Sequence, residues 1–125
     1  MIVIQLPYPP KELSPNARVH WSKKARAMHE SKELATVETT NEAMELPVRA
    51  RKELVGNKHD LRLCIIFHPA RKGRYDRDNA LARCKGYLDG IAAALDIDDS
   101  QFEPTTLRRG DVIKGGLVVF EIYPS

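Results

Sequence analysis

The sequence predicts one small α/β (α+β) domain, a mixed sheet of about four strands with two main helices in the order β-α-β-α-β-β. Three observations lead there. Short apolar runs, IVIQL at residues 2–6 and DLRLCIIFH at residues 60–68, have strand length and β-branched content. Two intervening segments, residues 22–42 and 78–95, carry helix formers with apolar side chains at helical spacing. The chain then closes on two strand-like runs, QFEPTTLRR and GGLVVFEIY, separated by a turn region with Gly110, Gly115 and Gly116. A length of 125 residues suits a single domain, 1–125, with a core of its own.

Each element has a local reason. The first strand stops at the prolines of PYPP, and Ser14, Pro15 and Asn16 supply turn chemistry after it. Ser22 is a candidate N-cap for the first helix, whose imperfect apolar stripe runs through Ala25, Met28, Leu34 and Val37. That helix carries Lys23, Lys24 and Arg26 in its first turns and glutamates near its end. The order opposes the helix dipole, at a cost of about a few tenths of a kcal/mol per charge, which leaves two readings for the cations, another task or ordinary solvated surface charge. Residues 44–60 read as a short helix after Pro47, then a loop. The run at 60–68 is apolar at its centre on both faces, the mark of a central strand. PARKGRY is a basic loop, and the helix at 78–95 places Leu81, Cys84, Leu88, Ile91 and Leu95 on one side, with Asp78 as its N-cap.

Composition narrows the class without naming a partner. With 42% hydrophobic and 30% charged residues the chain is a folded one rather than a disordered one. A net charge of +3 and a pI near 8.9 are too mildly basic to announce nucleic acid. No apolar run is long enough to span a membrane, and residues 1–10 lack a secretory pattern, so a cytoplasmic protein is expected. Cys64 and Cys84 lie in apolar patterns and read as reduced, buried thiols.

The chemistry-bearing stretch is GRYDRDNALARCK, followed one helix later by DIDDS. One at a time these acids are helix caps and a polar turn. At roughly 100° per residue, though, one continuous helix puts Asp78, Lys85 and Asp89 in a narrow stripe beside the apolar face. The DIDDS turn returns the chain to the sheet, and carboxylates crowded there would call for a hard cation with oxygen ligands, such as Mg²⁺. DIDDSQFEPTTL is not a calcium loop, because Gln101 and Leu107 stand where glycine and glutamate are required. P-loop, dinucleotide and zinc patterns are absent, and His20, His29, His59 and His68 are scattered.

Taken together, LPYPP, SPNARVHW, DRDNALARCKGYLDGI, DDSQF and the closing KGGLVVFEI resemble the RusA-type Holliday junction resolvases, small metal-dependent endonucleases of bacteria and their phages. The resemblance implies that Asp76 and Asp78 bind the catalytic metal, with Asp99 as a third acid and Asp98 beside it. It implies Lys85 as the catalytic lysine, Mg²⁺ (or Mn²⁺) as cofactor, a homodimer, and four-way DNA as substrate. The stretch from Asp78 to Lys85 is about one helical turn longer than in shorter members of that family. In such an enzyme Arg71, Lys72 and Arg74 would hold the phosphate backbone, and Lys23, Lys24 and Arg26 would contact a neighbouring arm. Trp21 reads either as a core anchor at the start of the first helix or as a ring that stacks at the branch point. Three alternatives stay open: a nuclease for flaps or forks, a catalytically inactive protein that binds branched DNA, and a structural phage protein that binds neither metal nor DNA.

Overall fold

The computed structural model describes residues 1–125, and its strands and main helices follow the expected order. Strand β1 (Ile2–Leu6) leads through a 3-10 turn at Lys11–Leu13 into helix α1 (Trp21–Glu45) and a short helix α2 (Val48–Leu54). Strand β2 (Leu61–His68) is followed by helices α3 (Arg77–Arg83) and α4 (Lys85–Leu95). A second 3-10 turn at Asp99–Gln101 leads into β3 (Phe102–Arg109) and finally β4 (Leu117–Pro124). The four strands form one mixed sheet in the order β1-β4-β2-β3, an α+β domain as expected. β2 is central, parallel to β3 through the α3–α4 crossover and antiparallel to β4. The two C-terminal strands therefore do not pair with each other, since β2 lies between them.

Alternation along the strands sets the core. Leu61, Leu63, Ile65 and Phe67 of β2 are buried, as are Ile2, Ile4 and Leu6 of β1 and Val118, Phe120 and Ile122 of β4. Registers such as Ile4↔Phe120 and Ile65↔Phe120 place these side chains on one face, under α1 and α4. Each large aliphatic side chain buried there contributes about 1.5–3 kcal/mol. The apolar character of β2 on both faces overstated its cover, because Cys64 and Ile66 on the other face are only half-buried.

The helices depart from expectation in three ways. α1 is capped by His20, not Ser22: the His20 Nδ1 accepts the Ser22 N–H at 3.1 Å. Its buried face is Ala27, Ser31, Ala35, Thr39 and Ala43, so the larger residues of the expected stripe, Leu34 and Val37, are exposed. Small residues form the seam because α4 packs very close: a Cβ at Gly90 would lie 2.3 Å from the Lys32 carbonyl oxygen. Finally, the helix expected over 78–95 is broken at Cys84 (φ −87°, ψ 0°). Its first half is tied to the N-terminal loop, where Asn79 donates to Ser14 Oγ (2.7 Å) and Arg83 donates to the carbonyls of Pro9 and Pro10. Its second half is seated on α1 through Gly86 and Gly90. Separate anchors on either side of Cys84 account for the break.

Gly90→Ala is expected to destabilise the fold by about 1–3 kcal/mol through overpacking. Gly86→Ala should cost less, since its neighbours stand farther off, Ser31 Cβ at 2.9 Å, Met28 Sδ at 3.0 Å and the Met28 carbonyl oxygen at 3.1 Å. Denaturant unfolding of the two variants tests that ordering.

Candidate active site

The acid-bearing loop is built from the sheet outward. β2 ends at His68, and the loop after it carries Arg71, Lys72 and Arg74, all exposed. Arg109, at the end of β3, donates to the Gly73 carbonyl at 2.8 Å, and its guanidinium sits 5.9 Å from the Tyr75 ring centre. Tyr75 packs against Phe67 of the core (5.9 Å between ring centres). These contacts fix the residue immediately before Asp76.

Asp76, not Asp78, caps α3. Its backbone is extended (φ −101°, ψ 104°) and its Oδ1 accepts the Asn79 N–H at 3.0 Å. Asp78 falls in the first turn, exposed, where a negative charge suits the positive helix end. Asn79 thus bonds twice, to Asp76 through its backbone and to Ser14 through its side chain.

The second acid segment is closed by backbone geometry. Asp96 ends α4 in the left-handed region (φ 53°), and the Ile97 N–H bonds back to the Ala92 carbonyl at 3.0 Å. Asp98 then caps the following 3-10 turn, accepting from Ser100 N–H at 2.9 Å, while Gln101 Oε1 accepts from Asp98 N–H. The Ser100 backbone hydrogen bond holds the Asp98 carboxyl below the ordinary range. Gln101 Nε2 also donates to the carbonyls of Asn57 and His59, tying this turn to the entrance of β2.

Lys85 is where the two segments meet. Its Nζ lies 3.0 Å from Asp89 Oδ1 and 3.5 Å from Asp99 Oδ2. The break at Cys84 makes Lys85 the first residue of α4, so the expected stripe through Asp78, Lys85 and Asp89 holds only for the last two. The hydrogen bond to Asp89, then its charge, and less strongly the charge of Asp99, push the lysine above its ordinary range. Lys85 and Asp99 also line a cleft of about 580 Å³ whose walls include Met28, Leu81, Leu88 and Phe102. Behind them Cys84 is buried, and that burial pushes its thiol up to about 12. Both cysteines are free, as expected, though Cys64 is only half-buried.

Of the acids singled out in the sequence, Asp99 therefore joins Lys85, with Asp89 as the closer partner. Asp76 and Asp98 are engaged with their own backbones, and Asp78 points to no protein partner. No three His, Cys, Asp or Glu side chains are gathered to hold a metal ion. The donor chemistry suits Mg²⁺, but these side chains as placed do not make its oxygen shell by themselves. Lys23 and Arg26 are exposed on α1, Lys24 is half-buried, and none has an acidic partner. Sequence reasoning missed Arg109, Tyr75, Arg83 and Gln101, whose contacts are long-range; Asp89 was legible at four residues from Lys85.

No protein-family model matches the chain. An uncharacterized protein of Xylella fastidiosa (strain Temecula1 / ATCC 700964) is 40% identical over 122 residues, covering 95% of this chain and 74% of that protein.

The Lys85 ammonium is expected to titrate above ordinary lysines, losing its ion pairs as pH rises through that elevated value. Asp89→Asn should lower it more than Asp99→Asn. Side-chain ¹⁵N NMR checks both, and a larger effect of Asp99 would reverse the assignment of the main partner.

Proposed function

The chain belongs to one family with the Xylella fastidiosa protein, and for this chain we propose a metal-dependent endodeoxyribonuclease that resolves four-way DNA junctions by paired, symmetric phosphodiester hydrolysis. The observation that carries the reading is the approach of Lys85 to Asp99. It joins DRDNALARCKGYLDG to DDSQF, the two motifs on which the resemblance to RusA-type resolvases chiefly rests.

In this reading Asp76, Asp78 and Asp99, with Asp98 beside them, are the residues that would hold Mg²⁺ (or Mn²⁺), with ligands from the DNA needed besides. When bound, such an ion would supply Lewis-acid chemistry toward water and phosphate. The chain's own part is positional and electrostatic. Lys85, protonated throughout the physiological range, offsets charge that builds on the phosphate oxygens. Arg71, Lys72 and Arg74 hold the strand entering the acid site, and Lys23, Lys24 and Arg26 hold a neighbouring arm.

Two symmetric cuts need two such sites, so the active species is a homodimer. The sheet face away from the helices suits a second copy: it carries half-buried Cys64, Ile66 and Tyr123, and Arg62, Arg108 and Glu121 line a recess on it. No helix is long and apolar enough to cross a membrane, which fits a protein working on DNA in the cytoplasm of a bacterial cell, encoded by the cell or by a phage.

A second reading, a branched-DNA-binding protein without cleavage, is favoured by one feature. Two of the four acids cap backbone and a third is paired with lysine. A synthetic four-way junction and a matched linear duplex, each with Mg²⁺ or EDTA, separate the readings. Mg²⁺-dependent nicks confined to the junction support the resolvase, whereas tight junction binding without cleavage supports the binder. Nicks in flaps or forks but not in junctions would move the substrate instead.

Asp78→Asn should keep the fold and junction binding while abolishing cleavage; normal cleavage by that variant would remove Asp78 from the site. Neutralising Arg71, Lys72 and Arg74 together should weaken binding and reduce the slope of log K against log salt by about one unit per charge. An unchanged slope in a salt titration would take the loop out of the interface.

A further inference from the structure

Trp21 is the single tryptophan of the chain and is 74% exposed, so it is not a core anchor. The other aromatic rings are buried or half-buried, most within the core or against it. An indole left in water at the first residue of a 25-residue helix has no packing reason to be there. Its ring has one aromatic neighbour. The His20 ring lies 5.3 Å away at an interplanar angle of 35°, and His20 itself is locked as the helix cap by Ser22.

The surroundings are cationic. Residues 17–29 contain Arg18, Lys23, Lys24 and Arg26 and no acid. Arg18 and Val19 line a recess of about 380 Å³ together with Lys11, Glu12, Ser14 and Arg83. Arg83 belongs to α3, whose first turn carries Asp78, and Ser14 is bonded to Asn79 of the same helix. On α1, Trp21 and Met28 are seven residues apart and share a face, about 10 Å along the axis. Met28 lines the cleft that holds Lys85 and Asp99. The exposed indole thus lies on the α1 face that leads, two turns on, to the cleft of Lys85 and Asp99, and two residues beyond the recess that Arg83 lines, among cations that attract a phosphate backbone.

We infer that Trp21, backed by His20, is a stacking surface for a nucleobase at a DNA branch point, where the continuous stack of base pairs is interrupted and one face of a base can be free. Aromatic stacking of this kind tolerates any base and works with a cationic track for the backbone. It accounts for selection of branched over continuous DNA by shape, since away from its ends a duplex offers no free base face to an indole. This inference rests on the resolvase reading for its substrate and adds the group that senses the branch.

The lone tryptophan makes the test direct. With EDTA present to prevent cleavage, a four-way junction is expected to quench and shift Trp21 emission, and a linear duplex of equal length is not. Labelled-DNA anisotropy is measured in parallel. Trp21→Ala should lower junction affinity roughly tenfold or more and leave duplex affinity within about twofold, while Trp21→Phe restores most of the loss. Circular dichroism melts confirm that both variants fold. Selective junction binding with unchanged emission and no effect of Trp21→Ala would overturn the stacking role and leave the resolvase reading standing. Equal binding of junction and duplex would overturn both. Equal quenching by single strands and junctions would make Trp21 a general single-strand surface and sink its role as a branch sensor.

Discussion

The backbone of α4 passes so near α1 at Gly90 that a single Cβ would meet the Lys32 carbonyl at 2.3 Å, and much of the molecule follows from that approach. Ala27, Ser31, Ala35, Thr39 and Ala43 leave a shallow seam on α1, and Gly86 and Gly90 let α4 settle into it. With the helices this close, Tyr87, Ile91 and Leu95 reach the inner face of the sheet, where the Tyr87 ring meets Phe120 edge-on and its hydroxyl donates to the Pro7 carbonyl. The first turn of α4 cannot shift without opening this packing. Lys85 is thereby held at a defined place, although its own side chain is largely in solvent.

The acid groups are organised by two different physical means. Asp76 and Asp98 are placed by backbone hydrogen bonds that they accept themselves, so their positions follow the helix and turn they cap. Asp89 and Asp99 are placed by the charge of Lys85, an interaction in high dielectric that a stronger cation or a phosphate can compete for. Asp78 is bound by neither. Under the proposed function, the frame of the site is fixed and its carboxylates are loosely committed, an arrangement that would suit a partner bringing both negative charge and cations.

The cations are arranged to match. Arg83 and Arg109 spend their guanidinium groups on backbone carbonyls and aromatic faces, bracing the N-terminal loop and the acid loop respectively. Arg71, Lys72, Arg74, Lys23 and Arg26 stay exposed. Arginines that build the site and basic residues that face outward from it are therefore distinct sets, although the sequence presents them as one mildly basic composition.

What the sequence determined by itself was local. The strands at residues 2–6 and 60–68 were legible because short β-branched runs between prolines and polar turns have few alternatives, and the continuous apolar centre of β2 marked it as central. The acids were legible as residues, and their grouping into two motifs was too. Tertiary structure decided the rest, since each remaining feature depends on contacts between distant segments. The seam of α1 is made of small residues chosen for closeness rather than hydrophobicity, so an apolar stripe could not reveal it. The break at Cys84 interrupts a run of good helix formers, and its cause is the separate anchoring of Arg83 to the prolines and of Gly86 to α1. The meeting of Lys85 with Asp99 requires the left-handed turn at Asp96 and the return into β3. The exposure of Trp21 depends on what the other aromatics already fill, and periodicity along one helix does not report that.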